Sequence, residues 1–205
     1  MRLADEFGSK AAYTAKLADL DDKSSEVFGA ALAFQADLQV QGRGQHANTW
    51  TSPATNNCYI TFLLSLKEPP FYAPLVAAYA VIETLNLYLK PDMQDMFKIK
   101  WINDVLFEGR KICGTLCTCS NDSNGNIFLS IGIGINLNHS PQDAASACSL
   151  AEIMEAAGQE AKQISVDQFV ERLASSVMRC FTQVDKNGFA GMKGKIEGKL
   201  DYMGE

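Results

Sequence analysis

Residues 41–53, QGRGQHANTWTSP, crowd glycines, amides, a cation and a tryptophan into one stretch of an otherwise apolar and acidic chain. Gly42 and Gly44 permit backbone conformations that expose N–H groups as an anion-binding nest, and Arg43 adds a planar fork of donors. Trp50 offers a flat surface for an aromatic base. The plain alternative is a flexible glycine-rich turn around one buried tryptophan. A second segment, KWINDVLFEGRKICGTL (100–116), sets Asn103 and Asp104 at a strand entrance and Arg110 and Lys111 just past a tight turn. Lys111 is followed by Cys113-Gly114, so its side chain should emerge beside bare backbone, although a solvated turn lysine is the usual case. The third, GIGIN (132–136), alternates glycines along a strand, which leaves one face without side chains and admits a ligand or another backbone. It is no dinucleotide fingerprint: Leu137 stands where the third glycine would be, and no parallel β-α-β unit surrounds it. A cation beside glycine-faced strands suits a ligand with an apolar body and an anionic end.

These residues need elements to hold them. Residues 9–20 are rich in helix formers, 27–34 (VFGAALAF) read as a buried strand, and 57–66 (NCYITFLLSL) as another. Leu75, Tyr79, Ile82, Leu85 and Leu89 recur at three- and four-residue intervals, predicting a helix over 72–90 that lies on a sheet. Strands follow at 96–101, at 104–119 with a turn at Glu108-Gly109, and at 126–138. Tight turns between neighbours imply antiparallel pairing. From residue 148 on, 149–158, 165–184 and 187–198 read as helices, with Ser165 and Asp167 placed at a helix start. No repeat or linker divides the chain, so the expectation is one domain over 1–205, of α+β class.

Composition narrows the partners. The chain has 205 residues, 47% of them hydrophobic, which is ample for a core. A formal charge of -6 disfavours broad electrostatic binding to nucleic acid or to an anionic membrane, so any anion site must be local. No stretch is long and apolar enough for a membrane span, and the start resembles neither a secretory nor an organelle leader, so a cytoplasmic protein is expected. Six cysteines without a C-x-x-C pair do not suggest a disulfide framework. Cys113, Cys117 and Cys119 would share one face of a strand, which permits a metal site. His46 and His139 are far off in sequence, and reduced core cysteine is the preferred reading, with no metal ligand assigned.

Three segments in this order, Gln39-x-x-Gly42-Arg43-Gly44 running to Asn48-x-Trp50-x-Ser52-Pro53, Lys100-Trp101-x-Asn103-Asp104 with Lys111-x-x-Gly114, and Gly132-x-Gly134-x-Asn136, resemble the biotin protein ligase family. Asn48 before Trp50 is closer to the holocarboxylase synthetase members. The similarity covers about residues 27–140. It implies a class II synthetase-like biotin/lipoate ligase core: a largely antiparallel mixed sheet with helices around it. It implies activation of biotin by ATP as biotinyl-5'-AMP, with magnesium, then transfer to a lysine of carrier domains in biotin-dependent carboxylases. By motif position, Lys111 would bridge the biotin carboxylate and the α-phosphate, with Arg43 on phosphate oxygens and Asp104 aligning or deprotonating the acceptor amine. Biotin would be held by Gln39, Gly42, Arg43, Lys111, Gly114, Gly132 and Gly134. The adenylate would meet Arg43, Gly44, Gln45, Trp50, Asn103, Lys111 and Asn136, with adenine stacked on Trp50.

The departures are as informative. Gly8-Ser9-Lys10-Ala11 is a weak counterpart of the family's Gly-Ser-Thr-Asn biotin segment. Gln45 replaces a common arginine, which removes positive charge over the adenylate, and Ile102 replaces a proline, which should relax a turn. No DNA-binding domain is expected before the catalytic region, and the C-terminal β-domain of many members would be absent or truncated. A homodimer is compatible with the resemblance. The rival readings are a lipoate ligase or acyltransferase of the same superfamily, and a biotin- or nucleotide-binding module without catalysis.

Overall fold

The computed structural model describes residues 31–39, 42–44, 49–50, 56–66, 70–141, 145–159 and 163–201. The helix expected at 9–20, the first four residues of the strand expected at 27–34, and the segment 8–11 lie outside them. The main sheet has six strands: β1 (Ala31–Ala36), β4 (Cys58–Leu66), β5 (Phe97–Lys100), β6 (Asp104–Phe107), β7 (Arg110–Asn121) and β8 (Ile127–Ile135). Their spatial order is β1-β4-β8-β7-β6-β5. Every pairing among these strands is antiparallel, and among the described residues two isolated parallel bridges, Ile99–Leu200 and Lys111–Ala147, are added. The six-stranded antiparallel sheet with helices packed on it is the α+β architecture expected. A separate hairpin, β2 (Gly42–Arg43) with β3 (Thr49–Trp50), comes from the polar loop.

Turn chemistry makes this topology. Glu108 and Gly109 both have positive φ, 49° and 80°, the backbone a tight two-residue hairpin demands, and they join β6 to β7 where the sequence placed the turn. At the other end of β7, Asp122 accepts bonds from the backbone N–H groups of Asn124 and Asn126, and Gly125 takes φ 83° to turn the chain into β8.

One face of the sheet carries the core. Ile60, Phe62 and Leu64 of β4 line up with Ile133, Ile131 and Leu129 of β8, all buried. Over the β5–β8 part of this face packs α1 (Ala73–Asn86), shorter than the expected 72–90 because its last turn opens at Leu87. It is buried almost all round, since α3 (Val166–Asn187) lies across it. In α3, Phe169, Leu173, Val177, Cys180, Phe181 and Val184 form one apolar stripe. Ser165 caps this helix by accepting from Gln168 N, as the sequence predicts, and Gly188 at φ 66° ends it. The two short helices are α2 (Leu150–Ala156), opened by a capping box between Ser149 and Glu152, and α4 (Ala190–Glu197). Among the described residues no helix is long and apolar enough to cross a membrane.

Asn57 ties the ends of β4 and β8 together. Its Oδ1 accepts from the N–H groups of Leu137 (3.0 Å), Asn138 (3.0 Å) and His139 (3.2 Å), and its Nδ2 donates to His139 O (2.8 Å). The side chain is buried, so removing it strands donors that water reaches poorly. Asn57→Ala is expected to cost about 2–4 kcal/mol of folding stability, read as a lower urea midpoint at unchanged slope. A midpoint equal to that of the parent chain would mean that solvent replaces the clamp.

Candidate active site

The face of the sheet opposite the helices holds the polar residues. Asp104, Gly114, Gly134 and Tyr59 stand in one row across β6, β7, β8 and β4. Simple alternation along β7 would turn Lys111 to the other face, with Cys113. A bulge prevents this: Val105 pairs with Cys113 but Leu106 pairs with Lys111, leaving Ile112 as the extra residue. Lys111 therefore shares a face with Asp104 and Gly114. The bulge is held by neighbours, because Lys111 N donates to Ser146 O (2.7 Å), Cys148 N donates to Lys111 O (3.0 Å), and Asn136 N donates to Ile112 O (2.9 Å). The Asn136 side chain closes the group by donating Nδ2 to Cys148 O at 3.1 Å.

Lys111 Nζ lies 2.8 Å from Asp104 Oδ2, with the two side chains 36% and 21% exposed. The same ammonium stands 5.5 Å from the centre of the Trp50 ring, a cation–π distance. Trp50 arrives on β3, whose partner strand places Gly42 directly across from it. A side chain at Gly42 would run into the Trp50 carbonyl oxygen and come within 3.2 Å of Gln39 Oε1, so the hairpin needs glycine there. The indole covers the two glycines of the row. A Cβ at Gly134 would stand 2.7 Å from Trp50 Cε2, and one at Gly114 would stand 3.1 Å from Trp50 Cζ3 and 3.4 Å from Lys111 Nζ. Gly132 is different: its nearest neighbour would be Leu116 O at 3.5 Å, an ordinary contact. Close approach of a neighbour thus accounts for Gly134 and Gly114 but not for Gly132.

The structure brings together Lys111, Asp104, Trp50, Gly114, Gly134, Gly42 and Gln39. Gly44 follows β2, and Arg43 pairs through its backbone with Thr49. The Arg43 side chain, Gln45, Asn48, Ser52 and Pro53 lie outside the described residues. Asn103 adjoins Asp104, but its Nδ2 donates to Thr115 O at 2.9 Å and is committed to the fold. Asn136 is 2% exposed, and among the described residues its buried Oδ1 has no hydrogen-bond partner, nor has the Trp50 indole Nε1. These are one unmatched acceptor and one unmatched donor.

Burial pushes the Cys113 thiol well above its ordinary range, with the Asp104 charge adding to the effect, and burial pushes Cys117 up to about 12. Neither is a ready thiolate at neutral pH. Among the described residues no group of three His, Cys, Asp or Glu side chains could hold a metal ion. Sequence reasoning passed over Thr115, Asn57 and the segment 146–148. Asn57 left one signal, an amide at the start of an otherwise apolar strand. The run Ser146-Ala147 left none.

Comparison with known proteins bears on the chain and its fold as a whole. A sequence model of the biotin/lipoate A/B protein ligase family matches residues 14–138. The biotin--[acetyl-CoA-carboxylase] ligase of Paracoccus denitrificans is 30% identical over 169 residues, which are 82% of this chain and 70% of that protein. The bifunctional ligase/repressor BirA of Bacillus subtilis is 30% identical over 66% of this chain, but the match spans only 42% of its length. The biotin protein ligase of Aquifex aeolicus in complex with biotin and ATP superposes with a TM-score of 0.69 at 31% identity, over 84% of this chain and 70% of that one.

Proposed function

The chain belongs to the biotin/lipoate A/B protein ligase family, and from that premise we infer that it is an ATP-dependent biotin–protein ligase. It activates biotin as biotinyl-5'-AMP and passes the biotinyl group to a lysine on carrier domains of biotin-dependent carboxylases. The observation that carries this reading is the Lys111–Asp104 pair at 2.8 Å, set beside the bare backbone of Gly114 and Gly134 under the Trp50 indole.

In the first step a biotin carboxylate oxygen attacks the α-phosphorus of ATP, and the bond to pyrophosphate breaks. Two anions must meet, so the ammonium of Lys111 offsets charge that grows in the transition state, and the N–H groups and guanidinium of the 42–44 hairpin assist. In the second step the acceptor lysine Nζ attacks the acyl carbon, the C–O bond to AMP breaks, and the amine's proton leaves toward Asp104 or solvent. A lysine is mostly protonated at neutral pH, so a carboxylate at that point orients the ammonium and accepts its proton as the nitrogen attacks. The rings and apolar chain of biotin would lie on the glycine-faced strands beside the Trp50 indole, where Gly132 is left uncovered by it. Asn136 Oδ1, an acceptor without a protein donor, suits an exocyclic amine of the nucleotide.

Magnesium bound with ATP would supply neutralisation of phosphate charge. The described residues fit an ion held mainly by the phosphates: no group of three His, Cys, Asp or Glu side chains stands among them, and the Asp104 carboxylate is paired with Lys111. Six cysteines without disulfides fit a cytoplasmic enzyme.

The test is pyrophosphate release by purified protein with ATP and either biotin or lipoate. Release that requires biotin and not lipoate is expected. Release with lipoate alone would move the assignment to the lipoate branch, and biotin binding by a folded protein without any release would make the chain a binding module.

A further inference from the structure

We propose that Asn103 and Thr115 are positioning residues for Asp104, and that Asn103 serves the transfer step rather than holding nucleotide. The inference rests on the reading of Asp104 as the group that aligns the acceptor amine. Asp104 is the first residue of β6, so its place depends on the turn before it, and that turn springs from β5 at the edge of the sheet. Its partner across the ladder is Gly114, which has no side chain to buttress a carboxylate. Beyond this pair, regular β6–β7 pairing ends.

Asn103 carries the ladder one residue further by other means. Thr115 N donates to Asn103 O at 2.9 Å, and the Thr115 hydroxyl donates to the same oxygen at 3.2 Å. In return Asn103 Nδ2 donates to Thr115 O at 2.9 Å. The side-chain amide thus does what the backbone N–H of a longer strand would do, and residues 103 and 115 close a reciprocal ring. Thr115 is only 2% exposed, so water is a poor substitute for either bond. The ring fixes the main chain immediately before Asp104, and the carboxylate is then held by its contact with Lys111. A catalytic group displaced by about 1 Å can lose a hundredfold in rate, so anchoring at this point is felt in the step that uses the carboxylate.

Transfer is measured from supplied biotinyl-5'-AMP to a purified carboxylase carrier domain, and adenylate formation by pyrophosphate release. Asn103→Ala is expected to lower transfer by about thirtyfold, at least five times more than it lowers adenylate formation, with the KM for ATP kept. Its transfer rate should also climb by about tenfold per pH unit between pH 7 and 9, following the free amine of a lysine whose ordinary pKa is about 10.4. The parent chain should show a shallower rise. Thr115→Val, which keeps shape and loses the hydroxyl, should lower transfer by about threefold, and Thr115→Ser should restore it. These two variants carry the test if Asn103→Ala does not fold. A raised KM for ATP with an unchanged ratio of the two steps would make Asn103 a nucleotide ligand and overturn the proposal, as would parental transfer in both Asn103→Ala and Thr115→Val. Full transfer by Asp104→Asn would instead overturn the reading of Asp104 on which the proposal rests.

Discussion

Lys111→Ala should lower biotin-dependent pyrophosphate release by about a hundredfold or more while the protein stays folded, because the ammonium offsets charge worth on the order of 3 kcal/mol in the transition state. The structure separates the two effects. Lys111 is 36% exposed and its pair with Asp104 is partly solvated, and such pairs contribute about 1 kcal/mol or less to stability. The bulge that presents the side chain is held by backbone bonds to Ser146, Cys148 and Asn136, none of which alanine removes. Unfolding curves should therefore nearly superpose. Lys111→Arg keeps the charge but replaces a compact ammonium with a planar fork beside Trp50 and Gly114, so it should recover only part of the rate. Near-parental release by the alanine variant would remove Lys111 from the chemistry, and a collapsed unfolding transition would assign it to the fold.

The same lysine marks how far the sequence could be read. Its type, its place after the Glu108-Gly109 turn and its nearness to Gly114 were all visible, and the three motifs in register pointed to the family. Its facing was not visible. Strand periodicity puts residues 111 and 114 on opposite faces, and only the extra residue at Ile112 reverses that. Helix α1 and the hairpin turn were legible because their signals are local: apolar residues every three or four positions, and a glycine suited to positive φ at Gly109. Hydrogen-bond assignments are not local. Asn103 and Asn136 each sit in a recognisable motif, yet the partners of their amides, Thr115 and Cys148, lie twelve residues away in both cases and are fixed by strand register. The small-residue segment at 146–148 announces nothing in sequence, because its task is to offer backbone groups to Lys111.

Gly134→Val should weaken biotin binding by about a hundredfold, equivalent to nearly 3 kcal/mol, because the new side chain must displace the Trp50 indole that borders the proposed biotin site. A Cβ at this position already falls 2.7 Å from Cε2 and 2.9 Å from Cζ2 of Trp50, closer than real Cβ atoms sustain, and 3.0 Å from its Nε1. The indole has to move, and with it the surface that faces Lys111 at 5.5 Å. Gly132→Ala is the internal comparison: with nothing nearer than 3.5 Å, it adds a methyl without displacing the protein, and any loss of affinity there reports ligand contact alone. Two tryptophans complicate fluorescence, but Trp101 is 67% exposed and can be replaced by phenylalanine with little loss of packing. In that background Gly134→Val should shift Trp50 emission to the red, and Gly132→Ala should not. Titration calorimetry with biotin gives the affinities directly. If Gly134→Val binds biotin as tightly as the parent and its emission is unmoved, the bare backbone of β8 serves sheet packing and the ring site must lie elsewhere on this face.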